Sequence, residues 1–404
     1  MQTRENVISR DNLDRERRSM NDSSAIAKGE TVTCTRCIMD TSDPEILFDE
    51  QGVCNHCKRY DARVASEIPS VPERSRKLAA LVAEISERGR GSVYDCVIGV
   101  SGGVDSTMVA YQLKRLGLRP LAVHFDNGWN SELAVSNIER TLKTLDIDLR
   151  TFVIDWEEFR SIQLALFKAG VANIEVVTDH AIMALLFQTA SAEGVKYIIS
   201  GGNLATESVM PESWMYDNRD LRHIDSINKR FGERPLRLLP RCSLGRYFYY
   251  VFIRKIKYIP LLNYIDYDKK AAKALIQAKL GWRDYGGKHY ESIFTRFFQA
   301  YFLPVRFGID KRRAHLSSLI LSGQMTRDEA LAEMEEPLYH PDTLRSDLEF
   351  FKKKMRLSGE AFDEIMQIQK KTYRDYPSNR FVFERHDGWI IRMVKRAVRP
   401  RALQ

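Results

Sequence analysis

Short apolar runs alternate with helical periods through the middle of the chain, and this alternation sets the expected fold. Asp95 to Val100 is a compact apolar run that reads as a buried strand. Val109, Leu113 and Leu116 then recur at helical spacing, with Gly117 placed to end the helix. Leu121 to Phe125 reads as a second strand. Val135, Ile138, Leu142 and Leu145 form the apolar stripe of a second helix, and Leu149 to Ile154 reads as a third strand. Helices are predicted from about Trp156 to Lys168 and from Asp179 to Glu193, ahead of a fourth strand at Val195 to Ser200. This order predicts an α/β fold, a doubly wound parallel sheet covered on both faces, with ligands bound beyond the carboxyl ends of the strands. Upstream, a polar connector through Pro69 and Pro72 leads into a helix ending near Gly89. Beyond about residue 245 the β alternation fades. Segments such as Tyr267 to Leu280 and Thr326 to Met334 then predict a mostly helical C-terminal region.

The chain therefore divides into a mobile charged tail (1–30), a cysteine-bearing unit (31–62), a helical connector (63–92), the α/β domain (93–245) and the helical region (246–404). A length of 404 residues agrees with more than one core. The hydrophobic fraction of 44% with 29% charged residues is ordinary globular composition, and no stretch approaches the roughly 18 apolar residues of a membrane span. The first thirty residues carry charges throughout and no apolar h-region, so they do not read as a secretory signal, and a cytoplasmic location is expected. A net charge of +8 favours anionic partners without choosing among nucleotides, nucleic acid and lipid headgroups. The basic aromatic segment 246–264 reads either as a membrane-surface or partner-binding helix or as a buried interdomain element with basic ends. Nothing in the pattern fixes an oligomeric state.

Chemistry first shows where the first strand runs into Ser101-Gly102-Gly103-Val104-Asp105-Ser106 and then into a helix. Paired glycines let backbone approach an anion with no Cβ in the way, and the first-turn N–H groups and the dipole of the helix point at it. Ser101 and Ser106 add hydroxyl donors. Asp105 is a poor neighbour for phosphate unless it holds a bridging Mg²⁺. The sequence has neither GxxxxGK[ST] nor GxGxxG, so the loop is neither a Walker A loop nor a dinucleotide fingerprint.

Other candidates cluster at the predicted strand ends. The second strand ends in His124-Phe125-Asp126-Asn127-Gly128-Trp129, where His124 reads equally as a nucleotide contact or a packed strand histidine. Thr178-Asp179-His180 opens a helix; Thr178 reads equally as its N-cap, and Asp179 and His180 are candidate contacts to substrate or Mg²⁺. The fourth strand ends in Ser200-Gly201-Gly202-Asn203, with Glu207 just beyond, and Gly201, Asn203 and Glu207 are candidates for nucleotide or substrate. In the helical region the paired glycines of Asp284-Tyr285-Gly286-Gly287 precede Lys288 and His289. Lys288 there would neutralise a departing pyrophosphate. For His289, Glu291 and Arg296 a substrate role and a structural one weigh equally. Arg237, Arg241 and Arg246 are further candidates for a diphosphate.

Cys34-x₂-Cys37 and Cys54-x₂-Cys57, sixteen residues apart, match the spacing of four-thiolate zinc sites. Four thiolates close a tetrahedral shell, so the site is expected to be structural, with an iron–sulfur cluster as the competitor and His56 as a bystander. Cys96 falls inside the first strand, and Cys242 has no assigned role.

SGGVDS after a first strand resembles the signature of the ATP pyrophosphatase superfamily, which includes GMP synthetase, asparagine synthetase, NAD synthetase and tRNA-thiolating enzymes. That resemblance implies that the loop (Ser101, Gly102, Gly103, Asp105, Ser106) holds the phosphates of ATP. It also implies that the end of the second strand (His124, Phe125, Asp126) meets adenine and ribose. A substrate oxygen would attack the α-phosphate and pyrophosphate would leave. CTRCIMDTSDP, GVCNHC, SGGVDS, HFDNGWNS, VTDHA, GGKHYESIFTRFFQ and DKRRAHLSSLI, in that order over residues 31–340, resemble the N-acetyl sugar amidotransferase family of bacterial surface-polysaccharide synthesis. The implied cofactors are ATP, Mg²⁺ held by Asp105, and structural Zn²⁺. Asp105, Asp179 and Lys288 would be catalytic. Asn127, Asp179, His180, Asn203, Glu207, His289 and Glu291 would face a nucleotide-linked N-acetyl sugar whose acetamido group becomes an acetamidino group. The chain opens Met1-Gln2 and has no recognisable nucleophile elbow around a cysteine, so any ammonia is expected from a partner or from solution; the resemblance implies a separate class I glutaminase subunit as its source. No nucleic acid is expected as partner, and no membrane span, with room left for peripheral membrane contact. The alternative is a tRNA-thiolating enzyme, which needs reactive cysteines at the ATP crevice.

Overall fold

The computed structural model describes residues 31–286 and 290–383, together with 393, 394, 396 and 397. The chain enters through the cysteine unit, whose last cysteine pair opens helix α1 (Asn55–Glu67), followed by α2 (Val71–Arg88), which ends at Gly89. Then come β1 (Cys96–Gly99), α3 (Val104–Arg115), β2 (Pro120–Asp126), α4 (Glu132–Leu145) and β3 (Leu149–Val153). They are followed by α5 (Trp156–Lys168), α6 (Val176–Ala192), β4 (Tyr197–Ser200), α7 (Leu204–Glu207), α8 (Leu221–Phe231), α9 (Leu244–Phe248) and β5 (Lys257–Pro260). The strands form one all-parallel sheet in the order β3-β2-β1-β4-β5. The expected doubly wound α/β fold is therefore present.

Alternation along each strand divides the core. Val97, Leu121, Val123, Phe125 and Ile198 pack on one face beneath α5 and α6, and Cys96, Ile98, Ala122, Tyr197 and Ile199 pack on the other with α2, α3 and α4. Both faces are covered, which an all-parallel sheet requires. β3 lies at an edge and leaves Leu149 and Val153 exposed.

Three sequence expectations need correction. The α/β domain does not end at 245, because β5 pairs with β4 through Tyr197–Lys257 to Ser200–Pro260. A four-residue edge strand with Pro260 at its end and only Ile259 fully buried lacks the apolar run or alternation that marks a strand. The segment 246–264 is accordingly no single helix. It comprises the end of α9, a π turn at Tyr249–Ile253, β5 and a 3₁₀ turn at Leu261–Tyr264, with Tyr250, Val251 and Ile256 buried. The helix predicted from Asp179 starts three residues earlier, at Val176, and Thr178 lies inside its first turn rather than capping it.

Beyond the sheet follow α10 (Lys269–Leu280), α11 (Ile293–Phe297), a π-helical stretch at Phe298–Phe307, α12 (Arg312–Leu321), α13 (Arg327–Glu335), α14 (Pro341–Met355) and α15 (Gly359–Gln367). These helices continue the sheet's core: Phe294, Phe297, Phe302, Phe351 and Phe362 pack with Phe159 and Phe167 of α5. No helix among the described residues is long and apolar enough to cross a membrane.

Candidate active site

The chain reverses its direction across the sheet between β1 and β4, and a doubly wound fold opens a crevice at this point. The phosphate-type loop fills one side of it. Gly102 sits at φ +81, and a Cβ there would lie 2.7 Å from the carbonyl oxygen of Ala134. Gly103 is the N-cap of α3 and no side chain caps it, so the first-turn N–H groups stay uncapped by side chains at the mouth of the crevice. Ser101 and Ser106 close the loop internally: Gly103 N donates to Ser101 Oγ at 3.3 Å and Ser106 Oγ to Gly103 O at 3.2 Å. On the other side, a Cβ on Gly201 would stand 3.1 Å from the backbone carbon of Asp105, so the end of β4 packs directly on the loop.

Three aromatic residues that the sequence reading did not single out hold this loop. Trp282 Nε1 and Tyr285 Oη both donate to Gly102 O, at 2.7 Å and 2.6 Å, and Tyr267 Oη donates to Asp105 Oδ1. The carboxylate of Glu291 reaches Gly103, with Oε1 3.7 Å from where a Cβ would stand. It is held there because residues 129–131 bridge to 291–293: Ser131 N donates to Glu291 O and Ile293 N to Trp129 O, each at 2.9 Å. Glycines with no room for a side chain, uncapped first-turn N–H groups and the carboxylates of Asp105 and Glu291 fit a triphosphate and its Mg²⁺.

The end of β2 is more committed to the protein than expected. His124 is buried, with Nδ1 3.0 Å from Val100 O and Nε2 3.2 Å from Asn130 Nδ2. It is a packed strand histidine. Phe125 stacks on Phe152 inside the sheet face. Asp126 Oδ1 accepts from Gly128 N at 2.9 Å and from Asn130 Nδ2 at 3.2 Å, and Asn127 Oδ1 accepts from Trp129 N at 3.1 Å. Lys354 of α14 seals this turn by donating to Gly128 O while its Nζ lies within 5.4 Å of the ring centres of Trp129, Trp156 and Phe350.

Asn203 and His180 are likewise corrected. Asn203 is 7% exposed and caps α7, its Oδ1 accepting from Thr206 N at 2.9 Å. His180 is fully buried between Asn218 O, 2.6 Å from Nδ1, and Cys242 N, which donates to Nε2 at 3.1 Å. Asn203 Nδ2 donates to Gly201 O at 3.1 Å, and both ring nitrogens of His180 are engaged by the backbone. Lys288 and His289 lie outside the described residues. Arg296 pairs with Asp347 through Nε at 2.6 Å and Nη2 at 2.9 Å, tying α11 to α14.

Asp179 keeps a candidate role on chemical grounds. Burial, with Glu175 and Glu207 as like charges against the opposing Lys311, pushes its carboxyl up to about 7. Lys311 is itself buried, and its pKa is lowered by that burial against the pull of Glu175 and Asp179. Such a carboxyl exchanges a proton near neutral pH.

The four cysteines of the first unit come together with their sulfurs all within 4.8 Å. Cys34–Cys57, Cys37–Cys54 and Cys54–Cys57 are 3.8, 3.7 and 3.6 Å apart. Sulfurs bound at about 2.3 Å around one tetrahedral ion lie about 3.8 Å apart, whereas a cluster spreads its thiolates over separate irons. The donor set fits a single Zn²⁺. His56 is no ligand; its Nε2 is 2.7 Å from Asp43 Oδ2. The unit docks on the C-terminal helices, where Arg327 donates to Cys37 O and Cys34 O at 3.1 and 3.2 Å and Arg313 Nε pairs with Asp40 at 2.9 Å. Cys96 and Cys242 are both fully buried, and burial raises both thiols, that of Cys242 to about 11. Neither fits the reactive cysteine that thiolation requires.

Residues 291–389 match the family model described as "LPS biosynthesis protein WbpG-like, C-terminal domain". Over 151 residues the chain is 31% identical to a GMP synthase (glutamine-hydrolyzing) from Pyrobaculum aerophilum; the match covers 37% of this chain and 28% of that protein. The chain thus spans little more than a quarter of that relative's length. Among solved structures, NMN synthetase from Francisella tularensis is 18% identical, with 72% of this chain and 98% of that one covered at a TM-score of 0.32. NAD+ synthetase from Burkholderia pseudomallei is 17% identical, with 74% and 95% covered at a TM-score of 0.31. The family match and the GMP synthase relative bear out the kinship with ATP pyrophosphatases and surface-polysaccharide proteins that the motifs imply.

Proposed function

We propose that this protein is an ATP-dependent amidotransferase that converts an acetamido group on a nucleotide-linked sugar into an acetamidino group, with ammonia from a separate glutaminase. The observation that carries the reading is the cradle at the β1/β4 crevice, where Gly102 and Gly103 open uncapped backbone N–H groups beside Asp105 and Glu291. The WbpG-like C-terminal domain supplies the polysaccharide context.

Residues 101–106 would hold the phosphates of bound ATP, and Asp105 and Glu291 would hold Mg²⁺, whose charge would offset that of the departing pyrophosphate. The amide oxygen of the substrate attacks the α-phosphorus, its O–P bond forms, and the bond to pyrophosphate breaks. Asp179 as carboxylate accepts the amide N–H proton in this step, leaving a neutral O-adenylyl imidate. Ammonia adds to the imidate carbon, the C–O bond breaks, and AMP leaves with its oxygen. Uncapped N–H groups and oriented carboxylates supply positioning rather than covalent chemistry. The four-thiolate unit would hold Zn²⁺ with no open coordination position, so it acts on structure alone.

The test is turnover of full-length protein with Mg²⁺, ATP, ammonium and a panel of UDP-acetamido sugars. Pyrophosphate and AMP should form in equal amounts with a product in which one oxygen is replaced by NH. Release of neither with any sugar of the panel would sink the reading.

A further inference from the structure

A cavity of about 900 Å³ lies where α1 of the cysteine unit meets the segment after β4 and the C-terminal chain near Tyr373. Its volume is in the range of sites that enclose a small ligand. Asp179 and Glu207 both line it, and Glu207 stands beside the phosphate loop: its Oε2 is 4.0 Å from where a Cβ on Gly202 would lie, and the adjoining Gly201 packs on Asp105. The cavity therefore borders the ATP crevice at the carboxyl expected to exchange a proton.

Two observations on the other walls point to a ligand. Arg59 of α1 lines the cavity, is exposed, and takes part in no ion pair among the described residues, whereas its neighbour Arg63 is paired with Glu67 at 3.1 Å and Arg219 with Asp217. A guanidinium left uncommitted on a cavity wall suits phosphate oxygens, which it can bind in a fork. His223 is 2% exposed and lines the same cavity, and neither of its ring nitrogens has a partner among the described residues. Buried imidazoles are ordinarily satisfied, so this one is open to a group that the described residues do not supply.

Resting on the amidotransferase reading above, we propose that this cavity is the acceptor site. It takes a nucleoside diphosphate-linked acetamido sugar, with the diphosphate at Arg59 and the acetamido group brought to Asp179 at the border with the ATP crevice. The cysteine unit then has a second role. α1 starts directly from Cys54 and carries Arg59, so the metal shell fixes one wall of the acceptor site.

The experiment is calorimetric titration of full-length protein, with Mg²⁺ and a non-hydrolysable ATP analogue present, using UDP-N-acetylglucosamine as probe. Wild type should bind the probe. Arg59→Glu and Arg59→Met should weaken it about tenfold or more while leaving the affinity for the ATP analogue unchanged. His223→Phe should weaken the probe without touching the analogue. Wild-type affinity in both Arg59 variants, or no binding by wild type, would overturn the site. Pyrophosphate release by Arg59→Met with an unchanged KM for the sugar would overturn the cavity while the amidotransferase reading stands. Probe binding that depends on Arg59 without turnover of any acetamido sugar would leave the cavity standing and overturn the chemistry.

Discussion

The carbonyl of Gly102 gives the sharpest test of how the C-terminal region controls the phosphate loop. It is buried and accepts from Trp282 Nε1 at 2.7 Å and Tyr285 Oη at 2.6 Å. Removing one donor leaves the oxygen satisfied by the other, so Trp282→Phe and Tyr285→Phe should each lose a hydrogen bond of about 0.5–1.5 kcal/mol. The Trp282 substitution also loses ring packing, but that loss occurs equally in the double variant and cancels in a double-mutant cycle. Removing both donors strands a buried carbonyl, which costs about 1–3 kcal/mol beyond the bonds themselves. The double variant should therefore be at least about 1 kcal/mol less stable than the sum of the singles in urea unfolding. KM for ATP, followed by pyrophosphate release, should rise most in the double variant, because a carbonyl turning toward water rotates the peptide that precedes Gly103. Additivity within about 0.5 kcal/mol together with an unchanged KM for ATP would refute the clamp.

With its carboxyl pushed up to about 7, Asp179 should give a rate that rises with pH through that value, and Asp179→Asn should lose both the limb and most of the rate. The same shift favours the protonated folded state: its stabilising contribution is full below the unfolded value near ~4 and is lost as pH rises through about 7, so Asp179→Asn should flatten that fall in denaturant titrations. Lys354→Met keeps the aliphatic stem in the box of Trp129, Trp156 and Phe350 but removes the charge; a loss of about 0.5–2 kcal/mol by thermal unfolding is expected, and an unchanged Tm would dismiss the cation–π contact. Cys37→Ser should lower bound zinc, measured by atomic absorption, and Tm together; full zinc content in the variant would argue against the four-sulfur shell.

Where one physical signal dominated, the sequence and the structure agree closely. The helix read from Trp156 to Lys168 has those bounds, because Asp155 caps it and an apolar stripe faces the sheet. The loop at 101–106 and the two cysteine pairs were legible because their chemistry requires particular residues at fixed spacing. The start of α6 was not, since Val176 and Val177 extend a helix whose apolar residues fall on all sides, leaving no period to mark where it begins. His180 and Asn203 looked like site residues because polar groups beside a crevice usually are. Their partners, Cys242 and Asn218 for His180 and Thr206 for Asn203, come from backbone and caps that no pattern announces. Trp282 and Tyr285 reach Gly102 from about 180 positions away, and such a contact leaves no trace in local periodicity. Lys311 sat in the DKRRAH stretch as one basic residue among several; only burial beside Glu175 and Asp179 sets it apart.

The late arrival of β5 has a practical consequence for anyone dissecting the chain. A fragment cut at residue 245, where the sequence suggests a domain boundary, would omit Lys257–Pro260 and leave the backbone of Tyr197–Ser200 without its neighbour. That row of unpaired amides and carbonyls, on an apolar central strand, is a template for stacking onto another copy. Such a fragment should collect in the insoluble fraction, whereas one extended past Leu280 keeps the strand together with α10, which packs on α3. Shortening this protein to its nucleotide-binding part is thus a question of sheet edges before it is one of catalysis.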